Sequence, residues 1–503
     1  MTETTTNLSG VLKRGAAMAA VGMVTAQTAV VIQTIVVGRL LGPVEVGVFT
    51  AGTVLMGFLV EATQGALSGA LIQRKTELRD AANTAFVATM GTGLLFGLAA
   101  LAASPLIATL FHSPRAGLIA AATSGITILH GLSSVPDALM QRAFQFKRQM
   151  IIAPAASVTF AGVSIVFAVL GYGAWALVIG WYASTMLTVA LSWSMAKWRP
   201  SLQGLSFRVW RELARFSFPM LLDGIAERSR QAFEQVIVGR ALGTGALGQY
   251  RYAYRIATLP SMAVITVCAH VLFPAFARIS DDVGRFRAAY LRALGWTCFA
   301  AIPVGALLVG LGEPLVVLLL GEKWRLAGIA VAAMAGIGIG AALNSVAGEA
   351  MKGAGRSSLL NWTTGLGLAL SVPLILLLLP YQLVGVGVAL SVTYLVVGIV
   401  SIELARKVVG VSRRETLACV APATVSALVA LAVLLPLEHL VVHASHRPLL
   451  AGLALIVAQT LVFAVVFLGV LRLTSPTWYA AVTSVIGRML ARAGATFRSL
   501  GPT

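Results

Sequence analysis

Charge is what this chain has least of. Only 11% of its 503 residues are Asp, Glu, Lys or Arg, against roughly 25% in an ordinary soluble domain. So few charges cannot cover a water-facing surface. Cysteine is nearly absent as well: Cys268, Cys298 and Cys419 lie in or beside apolar runs with neither pairing nor metal-ligand spacing, which excludes a disulfide framework and a thiolate metal site. No Gly-x-x-x-x-Gly-Lys-Ser/Thr loop occurs, so ATP hydrolysis by that route is excluded.

What is present is hydrocarbon: 58% hydrophobic residues and a mean hydropathy of +0.89. A helix of about 20 apolar residues crosses a bilayer, and such runs recur along nearly the whole chain. They predict an all-α polytopic membrane protein of about fourteen spans: residues 16–38, 48–73, 81–103, 117–140, 151–170, 174–196, 216–239, 250–277, 291–312, 326–351, 359–379, 383–405, 417–435 and 449–471. The formal charge of +19 could suggest nucleic acid, but the 37 Lys and Arg alternate with the loops. The terminal tails and every second loop hold 27 of them and the intervening loops six, while Arg228, Arg230, Arg251 and Arg255 fall within spans. That asymmetry predicts both termini on the cytoplasmic side of a bacterial inner membrane, with the basic loops facing anionic lipid. The first apolar run follows Lys13 and Arg14 and is long enough to span, so a cleaved signal peptide is not expected.

The chain also repeats itself. Val37-Gly38-Arg39-Leu40-Leu41-Gly42 returns 201 residues later as Val238-Gly239-Arg240-Ala241-Leu242-Gly243, and Gly47 and Phe49 return at the same offset as Gly248 and Tyr250. Pro105-Leu106-Ile107 answers Pro314-Leu315-Val316, Met140 answers Met351, and the Gly171-Tyr172-Gly173 turn answers Gly385-Val386-Gly387. The shared order predicts two six-helix lobes, residues 1–196 and 216–407. Six crossings are an even number, so the lobes are parallel repeats around a central cavity. Residues 197–215 read as an amphipathic cytoplasmic linker, with Leu205, Val209, Trp210, Leu213 and Phe216 near one face. Residues 408–472 supply two more spans, and 473–503 form a basic tail with a second amphipathic stretch from Trp478 to Phe497.

The seventh span departs from the rest. It holds Asp223, Glu227, Arg228, Arg230 and Glu234 with Gln231 and Gln235, and each charge at mid-membrane costs about 2.5–3.5 kcal/mol on insertion scales. This helix must therefore face protein or water. Asp223, Glu227, Arg230 and Glu234 share one stripe, with Arg228 about 100° away. Pairing of Glu227 and Glu234 with Arg230 would serve only to make the helix insertable. Under the repeat offset Arg228 answers Gln27 and Glu234 answers Gln33, so only the second copy is charged at this depth.

The chain resembles the polysaccharide flippases of the Wzx type, within the superfamily that includes multidrug (MATE) exporters and the lipid II flippase. The likeness is carried by the Arg39-Leu40-Leu41-Gly42-Pro43 turn with Gly47, its echo from Arg240 to Gly248, the loop from Gln141 to Arg148 and the Gly-x-Gly turns, and it covers about residues 8–471. The resemblance implies translocation of undecaprenyl-diphosphate-linked saccharides by alternating access, for exopolysaccharide, capsule or O-antigen synthesis, with a polysaccharide polymerase and export machinery as partners.

A diphosphate is a concentrated anion that guanidinium meets bidentately. Arg228, Arg230, Arg251 and Arg255 are therefore the expected head-group ligands, with Gln27 and Gln33 offering hydrogen bonds to sugar hydroxyls. The same glutamines could equally bridge helices. Asp223, Glu227, Glu234 and Glu61 are candidates for a coupling ion. Asp137 and Glu349 could bind a coupling cation as well, but they lie nearer the cytoplasmic ends, where Arg142 and Lys352 are available to pair with them.

Two rivals stand beside this reading. A cation-coupled small-molecule exporter would share the architecture, though four intramembrane Arg favour an anionic cargo. A glycan ligase or polymerase would need convergent acid, base or nucleophile at the outer face, where Glu45, Glu313, Glu322 and Glu438 are scattered. His439, His443 and His446 share one outer loop beside Pro436 and read as solvated residues. No catalytic activity, cofactor, metal site or nucleic-acid partner is expected.

Overall fold

A computed structural model of the chain describes residues 22 and 24–499 apart from 75–77, 143–145 and 197, and the side chains of these except in short stretches that include 64–68, 146–150, 219–223 and 489–499. The described residues form helices and no strand. In the first half these are α1 (Val24–Leu40), α2 (Pro43–Gly52), α3 (Val54–Gln73), α4 (Leu78–Leu110), α5 (Pro114–Thr123), α6 (Ile126–Arg142), α7 (Phe146–Val169) and α8 (Trp175–Met195). There follow α9 (Phe207–Val267), α10 (Phe273–Ile279), α11 (Val283–Leu320), α12 (Arg325–Ala333), α13 (Ala335–Gly353), α14 (Leu359–Leu378), α15 (Gln382–Val409), α16 (Arg413–Pro436), α17 (Leu449–Thr474) and α18 (Pro476–Ser499).

Their ends carry ordinary stop and start chemistry. Ser113 caps α5 through the Ala116 amide ahead of Pro114, Asp282 caps α11 through the Arg285 amide, and Ser412 and Glu415 make a reciprocal capping box on α16. Gly410 closes α15 in the left-handed region at φ 78°.

Among the described residues eight helices can cross a membrane by length and composition, or up to ten if each of two bent pairs is one span, Pro43–Gly52 with Val54–Thr63 and Glu322–Ala333 with Ala335–Gly353, each bent by 41°. The chain is a polytopic all-α membrane protein. The rest of the expected crossings also fall on helix. The first lies on α1, with its opening residues outside the described ones. The seventh lies on α9, which is not in that count, and the eighth runs from α9 through a π-helical turn at Cys268–Leu272 into α10. Residues Leu359–Val409, 51 in all, exceed a single crossing, and α14 and α15 pack side by side, so the chain folds back at Leu379–Tyr381. Gly385 sits at that reversal with no room for a side chain: a Cβ there would lie 1.9 Å from the Leu378 carbonyl oxygen.

The backbone divides into two compact units, Met1–Arg251 and Tyr252–Thr503, with the division inside α9. In the first, α4 and α6 cross through small residues. Thr127 Oγ1 donates to Gly93 O at 2.8 Å and Thr89 Oγ1 to Gly131 O at 3.4 Å, the close packing that lipid-embedded helices use. Asn83 holds the chain before α9, donating to Gln203 O and accepting from the Ser201 amide. The predicted amphipathic face divides there: Val209 and Leu213 are buried against Leu71, Ala82 and Val135, while Phe207 and Trp210 stack together on the exposed side. Arg74 and Arg208 both bond Glu212 and hold its carboxyl below the usual range. The helix that starts here runs without a break into the charged span, as far as Gly243 (φ 87°, ψ 169°).

Both copies of the repeated motif end a helix at their final glycine, Gly42 before α2 and Gly243 within α9. The segments that follow cross each other at Gly47 and Gly248. A Cβ on Gly47 would lie 1.6 Å from Thr244 O, and one on Gly248 would lie 1.9 Å from Pro43 O. Pro43 and Thr244 are themselves repeat equivalents, so the contact is reciprocal, as between the halves of an isologous pair.

In the second unit Tyr290, Leu294, Cys298, Met351, Ala427 and Phe467 belong to one large core. The α13–α15 crossing is again backbone on backbone, at Gly340 against Tyr394. The amphipathic α18 docks by its first turn, where Trp478 covers Gly295 and packs on Trp296 and Phe299.

Candidate functional site

The first unit encloses a cavity of about 460 Å³, within the range of about 300–1,000 Å³ typical of small-molecule sites. On one side α9 contributes Arg228, Gln231, Ala232 and Gln235, spaced i, i+3, i+4 and i+7 on one helical stripe, with Arg251 beyond the Gly243 break. Opposite stand Phe49, Phe58, Phe160 and Trp181, with the hydroxyls of Thr53, Ser157 and Ser184 among them. Among the described residues the lining holds two guanidinium groups and no carboxylate. Phe49 meets Trp181 edge to face, with centroids 6.3 Å apart.

Arg228 reaches across to α3. Its Nη2 donates to Glu61 Oε2 at 3.4 Å and its Nη1 to Gln231 Oε1 at 3.5 Å, and about two fifths of both Arg228 and Glu61 is exposed. Gly224, one turn earlier on α9, lies against the Glu61 side chain. Two residues proposed for separate roles, head-group ligand and coupling site, are thus partners in a long, wet ion pair. Screening makes such a pair easy to exchange.

Arg230 is placed differently. Only 5% exposed, it donates through Nε and Nη2 to both oxygens of Glu227, at 3.0 and 2.6 Å, and through Nη1 to Glu234. Glu234 is wholly buried and accepts also from Tyr250 Oη at 3.2 Å, while Gln231 Nε2 closes the network on Glu227 at 2.9 Å. None of Glu227, Arg230 and Glu234 lines the cavity. One guanidinium is shared by two carboxylates, and such mutual pairing is the condition under which charges persist inside a membrane protein.

Of the remaining candidates, Arg255 is partly buried one turn past Arg251, in the second unit, and both arginines have partners. Gln27 is exposed on α1. Gln33 is buried, and its Oε1 has no hydrogen-bond donor among the described residues. The side chain of Asp223 and the 143–145 segment of the Gln141–Arg148 loop lie outside the described residues. The scattered outer carboxylates are each committed. Glu45 accepts from Arg115 at 2.6 Å and the Ala174 amide at 2.8 Å, Glu313 and Glu322 share Arg325, and Glu438 is bonded by Gln459 and the Ala444 amide. Glu349 pairs with Lys352 at 3.0 Å, whereas Asp137 meets Ser192.

Sequence reasoning missed the aromatic wall. Trp181 and Phe160 sit in apolar spans that give no signal beyond hydrophobicity. Phe49 alone was flagged, through its repeat match with Tyr250.

Comparison with known proteins agrees with this architecture. Residues 36–327 match the family profile described as polysaccharide biosynthesis protein. The succinoglycan biosynthesis transport protein ExoT of Rhizobium meliloti (strain 1021) is 26% identical over 294 residues, 58% of this chain and 59% of that protein. The lipopolysaccharide biosynthesis protein WzxC of Escherichia coli (strain K12) is 26% identical over 309 residues, 58% and 60% respectively. The chain thus spans about three fifths of the length of these curated relatives. Among solved structures, the lipid II flippase MurJ in an inward closed conformation superposes with a TM-score of 0.72 at 15% identity, over 89% of this chain and 98% of that one. An inward-facing multidrug resistance MATE transporter of the MOP superfamily gives 0.64 at 17%, over 76% and 94%. At these identities the likeness to the solved structures is one of fold.

Proposed function

The chain belongs to the polysaccharide biosynthesis protein family, and from that premise we propose that it carries undecaprenyl-diphosphate-linked saccharides across the bacterial inner membrane by alternating access. The observation that carries this reading is the cavity itself: Arg228 and Arg251 on one wall, aromatic rings and hydroxyls on the other, and no lining carboxylate among the described residues. Guanidinium suits phosphate oxygens. Flat rings and hydroxyls suit the faces and edges of sugars, and two lining arginines favour an anionic cargo over a cationic drug. The names of ExoT and WzxC, both proteins of polysaccharide synthesis, point the same way.

In this mechanism the cargo diphosphate replaces Glu61 on Arg228. The exchange costs little, because the resident pair is long and solvated. The released Glu61 carboxylate is then free to hold a coupling cation, which links cargo entry to an ion without a covalent step. Arg251 is the second phosphate ligand, and Gln231 and Gln235 meet the first sugar hydroxyls. Arg230, Glu227 and Glu234 act as the structural brace of α9. Two six-helix lobes at residues 1–196 and 216–407 would supply the alternating access, with both termini cytoplasmic and a polymerase drawing off the product.

The test is Arg228→Ala assayed in proteoliposomes with a fluorescent prenyl-diphosphate disaccharide. Losing a charge-assisted hydrogen bond of about 1.5–3 kcal/mol weakens cargo affinity about tenfold or more, with the amount of folded protein unchanged. Unaltered transport in that variant would remove Arg228, and the cavity, from the cargo path.

A further inference from the structure

Asp137 is a carboxylate in a membrane helix with a single partner among the described residues. Ser192 Oγ on α8 donates to its Oδ1 at 2.5 Å, and no cation pairs with it among the described residues. Ser192 is fully buried and Asp137 partly so. Intramembrane acids are usually paired or functional, and the obvious counter-ion is engaged elsewhere. Arg142, five residues on, donates its Nη1 to Ile72 O at 2.9 Å.

Among the described side chains, no charged group on the helices packed against α6 pairs with Asp137. On α3, Glu61 engages Arg228, while Arg74 at its end engages Glu212. On α4, Arg79 and Asp80 occupy the first turn, Asp80 beside Gly204. On α7, Lys147 and Arg148 open the helix, with side chains outside the described set. No charged residue occurs along α8, whose Tyr182 donates to Ala122 O. On α6 itself His130 stands two turns before Asp137 on the same face and has a partner of its own.

The position of Asp137 is as unusual as its isolation. It follows Pro136, which has no N–H and so leaves the Leu132 carbonyl without its helical donor. Trp193 Nε1, next in sequence to Ser192, donates to that carbonyl at 3.1 Å. Two neighbouring residues of α8 therefore grip α6 at its weakest turn, one through a freed carbonyl and one through an acid whose charge can change. Ionised, Asp137 only accepts; protonated, it also donates, and the grip is remade.

We propose that Asp137 is a proton-binding site of the transport cycle, separate from the cavity, at which loading and release of one proton resets the α6–α8 clasp. The carboxylate takes a proton from water at the membrane face that carries Arg142 and gives it back to water after the clasp has rearranged. Its part in transport rests on the flippase reading; proton binding itself does not.

The experiment uses the full chain in proteoliposomes with a fluorescent prenyl-diphosphate disaccharide, the membrane potential clamped with potassium and valinomycin. For one proton per cargo, a gradient of about one pH unit drives about tenfold accumulation. Wild type and Asp137→Glu should accumulate cargo; Asp137→Asn, which keeps the bond to Ser192, should equilibrate it without accumulation. Accumulation by Asp137→Asn equal to wild type, or equilibration by wild type without response to the gradient, overturns the proposal. Infrared difference spectra between acid and alkaline pH supply a readout independent of cargo: wild type should show a protonated-carboxyl band that Asp137→Asn lacks, and identical spectra refute the site. If wild type moves no cargo, the flippase reading fails, and the infrared result still decides whether Asp137 binds the proton.

Discussion

The crossing at Gly47 and Gly248 makes a quantitative demand. A methyl group on residue 248 would lie 1.9 Å from Pro43 O, and one on residue 47 would lie 1.6 Å from Thr244 O, whereas real Cβ contacts essentially never fall below 3.0 Å. The offending atoms are backbone, so no rotamer change relieves them. To admit alanine at 47 the two segments must part by about 1.4 Å at the contact. Overpacking of this kind costs about 1–3 kcal/mol and occasionally more. We expect Gly47→Ala and Gly248→Ala each to lower the apparent unfolding temperature of the purified protein. One separation of the segments accommodates both methyls, so the double variant should cost less than the sum of the singles. The control is Gly91→Ala on α4, where a Cβ meets nothing within 4 Å and the gain in helix propensity is up to about 1 kcal/mol. Gly248→Ala as stable as wild type, or strictly additive costs in the double variant, would refute the close crossing.

Two further outcomes follow from the charged network and from the helix ends. Arg230→Ala strands two carboxylates, one of them wholly buried, and removing one member of a buried pair costs about 3–5 kcal/mol; expression and thermal stability should collapse, and whatever folds should bind cargo normally, in contrast to Arg228→Ala. Ser412→Ala removes one half of the α16 capping box and should cost about 1 kcal/mol, seen as a lower unfolding temperature, with no change in transport.

Much of this fold was readable because lipid is a strict solvent. Apolar length alone marked the expected crossings, of which eight to ten are helices of the described residues long and apolar enough to span, since a helix in hydrocarbon must satisfy its own backbone. The repeat was readable for a different reason. The glycines at 47 and 248 are equivalent because they touch, and a contact between equivalent positions constrains both copies together. Equivalence of residue type did not guarantee equivalence of cause. Gly171 and Gly173 are needed for positive φ (84° and 57°), whereas their counterpart Gly385 is needed because no side chain fits beside Leu378. Periodicity could not tell where the amphipathic stretch ended and the charged span began, since both belong to a single unbroken helix from Phe207 to Gly243.

The candidate site was legible as a list of charges but not as an arrangement of them. Spacing along α9 separated two stripes, one with Arg230 and one with Arg228, yet an isolated helix carries no mark of which stripe meets water. The aromatic wall decides that, and it comes from α2, α3, α7 and α8, none of which advertises it. The repeat supplies the remaining logic. Where the second copy has Arg230, Glu234 and Tyr250 in one bonded network, the first has Ala29, Gln33 and Phe49. Phe49 offers no hydroxyl, Ala29 offers no guanidinium, and Gln33 keeps a buried Oε1 without a donor. Each charged member of the second copy would cost several kcal/mol if buried without the others, so the three are sustainable together and none is sustainable alone. Freed of any such brace, the first copy gives Phe49 to the cavity instead, opposite the one arginine of α9's charged span that its own helix leaves exposed.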